Sequence, residues 1–449
     1  MMNTQHAAQQ FTQATRRAVA QTERRAVIRR NIGSYHQKVA EGKRRYANWA
    51  AARDRAAARK QQVLAQWDRY LEAFEANVIA NGGRVHWAET AEEARRIVLA
   101  IARQHGVRSV VKSKSMVTEE IHLNAALEQA GIEVVETDLG EYVCQLRGEP
   151  PFHIVTPIMH LSRQEVAVTF RKKLQVAASD RAEELTQIAR QRLRAAFLRA
   201  DMGITGANFL IAETGQIAIT ENEGNARLCF SGPPVHVVLA GIEKLLPTVS
   251  DLALFWPLLA TSGTGQSLTV YNSLIAGPRA GGELHVVLVD NGRTRLFAAG
   301  EQREALRCIR CGACLNICPI YQNVGGHSYG TTYQGPVGSV ITPWLRDDDD
   351  WSHLSYASSL CGACTDVCPV GIHLHHHLLA NRRDAVARGR DAWWQRVLFR
   401  GWLWVMQSPE RYRWAGRLAT WAGAVGLRGP RGFPMPVRRT FRDWWSGQR

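Results

Sequence analysis

Long apolar runs are missing from this sequence. No uncharged apolar stretch reaches the roughly 18 residues that a membrane-spanning helix needs, which argues against an integral membrane protein. Residues 1–17 lack the apolar core of a secretion signal, so a cytoplasmic location is expected. Proline is absent between residues 8 and 80, which leaves that stretch free to be helical. No G-x-G-x-x-G follows an expected strand, so the usual dinucleotide or flavin fingerprint is missing. Cysteine is sparse. There are nine, and Cys144 and Cys229 stand alone, so a disulfide framework is not expected.

Charge is plentiful but uneven. The formal net charge is +16 over 449 residues, enough chain for two or three domains. Residues 1–70 carry 15 Lys and Arg against 4 Asp and Glu, and residues 391–449 carry 11 against 3; the middle is therefore near −3 (30 minus 33). Basic ends suit a partner or an anionic surface as well as solvated helix faces. No zinc-finger or helix-turn-helix pattern accompanies the charge, so nucleic acid is not the expected partner.

The other seven cysteines fall into two runs. Cys308, Cys311, Cys314 and Cys318-Pro319 form a C-x2-C-x2-C-x3-C-P run, the spacing of proteins that hold two iron–sulfur clusters. Three thiolates spaced this closely wrap three corners of a cube. The fourth, turned away before proline, reaches the other cluster. Fifty residues on, Cys361, Cys364 and Cys368-Pro369 repeat the pattern, with Ser358 where the first run has Cys308. By this exchange Cys308, Cys311, Cys314 and Cys368 hold the first cluster, and Cys318, Cys361 and Cys364 the second. The fourth ligand of the second cluster is either Ser358 or a group from outside the repeat, and a three-iron or open-iron form fits as well as a full [4Fe–4S]. Two zinc sites are the alternative for C-x2-C pairs, but the 4+3 spacing suits zinc poorly.

Taken in order, residues 1–80 read as helices with one narrow apolar face, broken at Gly33 and Gly42 and lying on another domain or subunit. Residues 81–300 alternate strand and helix signals, an α/β domain. Helices are expected over 91–104, 116–130 (with Ser115 as N-cap) and 181–198. Strands are expected over 109–111, 132–137, 153–155, 236–240 and 285–288, with a hairpin pairing 209–212 and 216–220. Residues 301–390 are the cluster module. Its glycine-rich Gly325–Gly338 segment suits close backbone approach to inorganic sulfur. Asp347–Asp350 is expected to cap a helix or enter solvent, and His373, His375, His376 and His377 to begin a helix in solvent rather than bind metal. Residues 391–449 hold eight of the 14 tryptophans, interleaved with arginine. This suits docking on a protein partner, with a membrane interface as the alternative.

The Lys112-Ser113-Lys114-Ser115-Met116 stretch, Glu136–Tyr142, and Gly206-Ala207-Asn208 through Glu221-Asn222-Glu223-Gly224-Asn225-Ala226-Arg227 resemble the lactate-utilisation (LUD) domain. Joined to a two-cluster module and a basic, Trp-rich tail, residues 70–449 resemble the lactate utilisation protein B family. The resemblance implies an α/β LUD fold related to ribose-phosphate isomerases and CoA transferases, followed by an α-helical ferredoxin-type module. It implies an iron–sulfur subunit of a three-protein complex oxidising L-lactate to pyruvate, its partners another iron–sulfur protein and a LUD-only protein. It also implies that the missing first cysteine of the second run is a family trait. It supplies no catalytic set for the LUD domain.

Three functions compete. Two clusters pass single electrons, and an electron-transfer subunit would leave the two-electron acceptor to a partner. Alternatively the LUD domain is itself the enzyme. Glu221, Glu223 and Asn225 then serve as acid, base or orienting groups, and Lys112 and Lys114 pair a substrate carboxylate. The plainer alternative makes Glu221–Asn225 a hydrogen-bonded turn and both lysines solvated. A scaffold with structural clusters is the third.

Overall fold

The computed structural model describes residues 6–177, 179–346, 348, 350–390, 393–424 and 441–448. The chain divides into two units, Met1–Arg383 and Asp384–Arg449.

Among the described residues the first unit has ten strands: β1 Arg84–Ala88, β2 Ser109–Lys112, β3 Glu133–Glu136, β4 Met202–Gly206, β5 Phe209–Ile211, β6 Ile217–Glu221, β7 Val235–Gly241, β8 Leu245–Leu246, β9 Tyr271–Ile275 and β10 Glu283–Val289. Six form a sheet of order β1-β10-β7-β4-β2-β3, every pair parallel. Parallel strands are covered on both faces and read as continuous apolar runs; β7 is buried at every residue. Strand order reverses between β2 and β4, so the crevice at their C-terminal ends is where this architecture holds ligands. A second sheet, β8-β5-β6-β9, carries the expected hairpin as the antiparallel pair β5–β6.

Four helices precede the sheet: α1 His6–Ala20, α2 Thr22–Lys43, α3 Trp49–Ala65 and α4 Trp67–Ala80. The expected break at Gly33 does not occur, for α2 runs through it; the break at Gly42 does, since α2 ends at Lys43. Gly42 also permits close packing: a Cβ there would lie 2.8 Å from the Gly265 carbonyl oxygen. α2 reaches both the α/β domain and the cysteine module. Asn31 donates to the Met159 carbonyl (2.9 Å), and the His36 ring meets the Asn316 carbonyl (3.1 Å). One continuous core joins α1–α4, the second sheet and the cysteine module.

Two other expectations need correction. The helix over 116–130 is two short helices, Met116–Glu120 and Leu123–Gln129, parted at His122 (φ 52°). Inward ion pairs of Glu119 with Lys112 and Glu120 with Arg293 hold the first turn where a continuous helix would have to pass. Residues 153–155 form no strand. The His153 ring closes a turn, Nδ1 accepting from the amides of Val155 (3.0 Å) and Thr156 (3.2 Å), which leaves Nε2–H to donate to Asn316 Oδ1 (3.1 Å). Burial holds this ring neutral, its pKa lowered to about 3.

Ser115 caps its helix as expected. Asp350 accepts from the Ser352 amide (3.0 Å), while Asp347 and Asp349 lie outside the described residues. The second unit contains the helices Trp393–Met406, Pro409–Ala424 and Phe441–Ser446. Its tryptophans are exposed, and Arg411 lies over the Trp404 ring at 4.4 Å. No helix among the described residues is long and apolar enough to cross a membrane.

Candidate metal centre and the cavity beside it

The two cysteine runs fold alike. Arg310 (φ 60°) and Leu360 (φ 55°) occupy the same left-handed position fifty residues apart, followed by Gly312 (φ 78°) and Gly362 (φ 85°). A left-handed non-glycine residue costs about 1–2 kcal/mol, so its recurrence marks a loop shape that the surrounding packing enforces. The shape turns amides toward sulfur: the Ala313 N–H donates to Cys311 and the Ala363 N–H to Cys361. Cys308 Sγ accepts from the Arg310 amide at 3.4 Å, and Ser358 Oγ accepts from the Leu360 amide at 3.1 Å. Ser358 thus holds Cys308's place in the loop. It does not cap the following helix, which starts at Ala363.

All nine cysteines are free. Burial raises the thiols of Cys311, Cys314 and Cys368, and in each case Cys308 adds to the effect. Burial likewise raises Cys318 and Cys364, with Cys361 adding to both. Amides of Val337, Ile320, Tyr321, Thr365, Val370 and Ile372 donate to these sulfurs. Such bonds favour thiolate over thiol, the form that binds metal. Cys314 also senses Cys364, so the two groups adjoin. Cys144 and Cys229 are buried elsewhere; Cys229 sits 3.5 Å from Thr137 Oγ1.

The surroundings suit an anionic group. Lys60 (1% exposed), Lys244 (8%), Arg293 and Arg310 are buried together, and the carboxylates bonded to them are Glu120 and Glu243. Lys60 donates to the Glu243 (2.6 Å) and Leu245 (3.1 Å) carbonyls. Burial lowers Lys60 to about 7 and Lys244 to about 8, because the protein's own carboxylates do not balance these ammonium groups. Lys60, Lys244 and Arg310 all feel Cys308. An iron–sulfur cluster on thiolates is an anion and fits this pocket of positive charge.

The glycine-rich segment permits close packing, and its Val337 amide donates to Cys314. A Cβ on Gly326 would fall 1.7 Å from the Phe152 carbonyl oxygen. The histidines are not simply solvated: Glu304 accepts from the His377 ring (2.6 Å) and the His373 amide (3.1 Å), and the His375 ring meets Thr365 Oγ1 (2.7 Å).

Beside the first cysteine group lies a cavity of about 360 Å³. The ends of β2, β4 and β7 form its floor, and Arg310, Cys311 and Tyr333 form a wall. The sequence candidates divide here. Lys114, Glu221, Glu223 and Asn225 line the cavity, whereas Lys112 does not. Lys112 is neither solvated nor facing a ligand; it is buried between Glu136 (2.8 Å) and Glu119 (3.3 Å) and donates to Thr118 Oγ1 (2.9 Å). Glu221 accepts from the Ala226 (2.7 Å) and Arg227 (2.9 Å) amides and so holds a turn, whereas Asn225 donates to Thr137 Oγ1 (3.2 Å) and ties that turn to the end of β3. Lys114 donates to the Val155 carbonyl (2.9 Å) and lies 3.5 Å from Asp138. Glu223 accepts from the Leu139 amide (3.0 Å); burial, then Asp138, raises it to about 7.

Sequence reasoning missed Lys244, Arg310 and Tyr333. The signal for Lys244 was Glu243-Lys244 interrupting the apolar run of β7 and β8, since charges within a buried run need partners. For Arg310 it was a cation between two ligand-spaced cysteines.

The family model for the LUD domain matches residues 71–296, and that for the 4Fe-4S dicluster domain matches residues 304–372. Lactate utilization protein B of Bacillus velezensis is 40% identical over 89% of this chain and 88% of its own. The same-named protein of Bacillus subtilis is 39% identical over 89% of this chain and 88% of its own. The uncharacterized electron transport protein YkgF of Escherichia coli is 44% identical over 84% of this chain and 78% of its own. A crystal structure of a DUF162 family protein from Deinococcus radiodurans, 17% identical, covers 50% of this chain and 98% of its own with a TM-score of 0.29. By its two domains and its near-full-length relatives, the chain belongs to the lactate utilization protein B family.

Proposed function

We propose that this protein is the iron–sulfur electron-transfer subunit of a cytoplasmic complex that oxidises L-lactate to pyruvate. Cys308, Cys311, Cys314 and Cys368 hold one [4Fe–4S] cluster. Cys318, Cys361 and Cys364 hold a second, with Ser358 at its fourth corner and a three-iron form as the alternative. Bound clusters supply single-electron transfer. Lactate gives up two electrons and two protons, so the two-electron acceptor sits in a partner, either another iron–sulfur protein or a LUD-only protein. The chain's own contribution is to pair buried cations with the first cluster, aim amides at the ligand sulfurs and enclose that site. The Trp-rich second unit docks on a partner, with peripheral membrane contact as the other use of such a surface. In this reading the LUD fold is related to ribose-phosphate isomerases and CoA transferases.

The observation that carries the reading is the pair of alike cysteine loops within the residues that match the 4Fe-4S dicluster domain, Arg310 and Leu360 sharing one left-handed position. Anaerobic purification with iron and sulfide counts tests it. About seven to eight irons per chain are expected from two cubane-type clusters or one plus a three-iron form; zinc in place of that iron would contradict it. With its partners the chain should support lactate oxidation, and alone it should show little.

A second reading makes the LUD domain the small-acid site. The cavity that brings Glu223 and Lys114 together with Arg310 favours it. Turnover by the isolated, cluster-loaded chain would place catalysis here.

A further inference from the structure

The first residues of β1 and β10 carry a group of side chains that neither the clusters nor the cavity uses. The two strands pair in parallel with Arg84 opposite His285. Arg84 and His86 on one strand therefore share a face with Glu283 and His285 on the other. Helix α5 (Ala91–Gln104) packs on both strands and ends beside them, which delivers His105.

Three nitrogens converge on one carboxylate oxygen. Glu283 Oε2 lies 2.6 Å from Arg84 Nη1, 3.2 Å from His285 Nε2 and 3.6 Å from His105 Nε2. The last separation is too long for a hydrogen bond, and His105 Nε2 is buried with no hydrogen-bond partner. The arginine–carboxylate pair leaves that nitrogen unsatisfied, although buried polar atoms are normally paired. One ligand atom from each of His105, Glu283 and His285 lies within 4.8 Å of the other two. Donors bound at about 2.0–2.1 Å to one tetrahedral ion stand about 3.3–3.4 Å apart. The two separations of 3.2 and 3.6 Å bracket that spacing. The support behind the donors is present as well. His285 is 2% exposed, and its Nδ1 meets His86 Nε2 at 3.0 Å, the two ring planes 16° apart. With its proton on Nδ1, His285 donates to His86 and turns a bare Nε2 toward Glu283. Ligating histidines have their other nitrogen held in this way.

We propose that His105, Glu283 and His285 form a zinc site that fastens the end of α5 to the start of β10, with His86 orienting His285. Two imidazoles and a carboxylate suit zinc, whereas calcium and magnesium take oxygen donors. Arg84 holds the carboxylate without the ion; its side chain is 55% exposed and can turn to solvent when the ion binds. A fourth position remains for water. The site lies where the parallel strands begin, while ligands of such sheets bind where the strands end. Its role is therefore to stabilise the sheet edge.

The test uses anaerobically purified, full-length protein dialysed against zinc chloride, with iron and zinc counted on the same sample. One zinc per chain should bind with a Kd of about 1 μM or tighter, in addition to the iron and not in its place. His105→Ala should weaken zinc binding by at least about tenfold with iron unchanged, and His86→Ala by about tenfold. Arg84→Gln, which removes the competing guanidinium, should tighten it. Zinc-edge X-ray absorption should show nitrogen and oxygen neighbours without sulfur. Zinc should also raise the unfolding temperature of the parent but not of His105→Ala. Zinc bound through sulfur alone, no zinc bound at that concentration, or zinc uptake indifferent to His105→Ala would each overturn the proposal. The site shares no residue with the cysteine module, so missing iron would count against the cluster reading and leave this test intact.

Discussion

Around Cys308, Cys311 and Cys314 the module is enclosed by α2, α3 and the α/β domain, with the cavity beside it and Lys244 and Arg310 in the cavity lining. Cys361, in a loop of the same backbone shape, is exposed, and Arg382 reaches the Ser358 carbonyl there (3.4 Å). A shared local sequence made the loops equal; their neighbours made them different. If the cavity is the small-acid site of the second reading, the enclosed half meets the substrate, and the open half is where single electrons would pass to a partner, since a second protein can approach there. Buried positive charge would favour a reduced, more anionic cluster in the first half, while the low dielectric there would oppose it.

The comparison breaks most completely if each run holds its own cluster. Cys368→Ala should remove the cluster of Cys308, Cys311 and Cys314, taking about half the iron, and leave the signal that depends on Cys361. Loss of the Cys361 signal instead, read by electron paramagnetic resonance, means that no exchange occurs. Next in size is the effect at Ser358. An alkoxide needs its proton removed at greater cost than a thiolate. Ser358→Cys should therefore slow iron loss in air, and Ser358→Ala should hasten it. Equal rates in all three proteins would show that Ser358 faces no iron.

A smaller, structural effect concerns Glu304, which ties the segment before Cys308 to the helix after Cys368. Burial pushes its carboxyl up, but the His377 ring and the His373 amide outweigh that and hold it at about 2. The pKa is depressed, so this contribution is present above the ordinary carboxylate range near pH 4 and is lost as pH falls toward 2. Glu304→Gln should cost about 1–3 kcal/mol at neutral pH, and the gap from the parent should close in acid, as read by urea unfolding. The smallest effect on the clusters should follow removal of residues 391–449: an unchanged spectrum with weakened partner binding. A truncated chain that binds partners normally but leaves anionic vesicles would assign the tail to membranes.

Much of the fold was legible because its signals are local. The helix 91–104 has its cap Thr90 and its apolar spacing, and the β5–β6 hairpin has its turn. What was hidden depended on distant partners. Nothing near Gly42 announces that Gly265 will pack against it. Nothing in 116–130 shows that Arg293 will draw Glu120 inward. The cysteine runs were legible because metal spacing is itself local. The cavity was only half legible: Glu223 and Lys114 stood in family-like motifs, whereas Lys244 and Arg310 meet only when the cysteine loop folds onto the sheet. Lys112 was misplaced because a lysine at a strand end looks the same whether it meets a ligand or Glu136.

The most direct test of the enclosed and open halves is electron paramagnetic resonance of the reduced, full-length protein with and without L-lactate. The account predicts that L-lactate alters the signal abolished by Cys368→Ala and leaves the Cys361-dependent signal unchanged. A change confined to the Cys361-dependent signal, or none in a fully loaded protein, would contradict it.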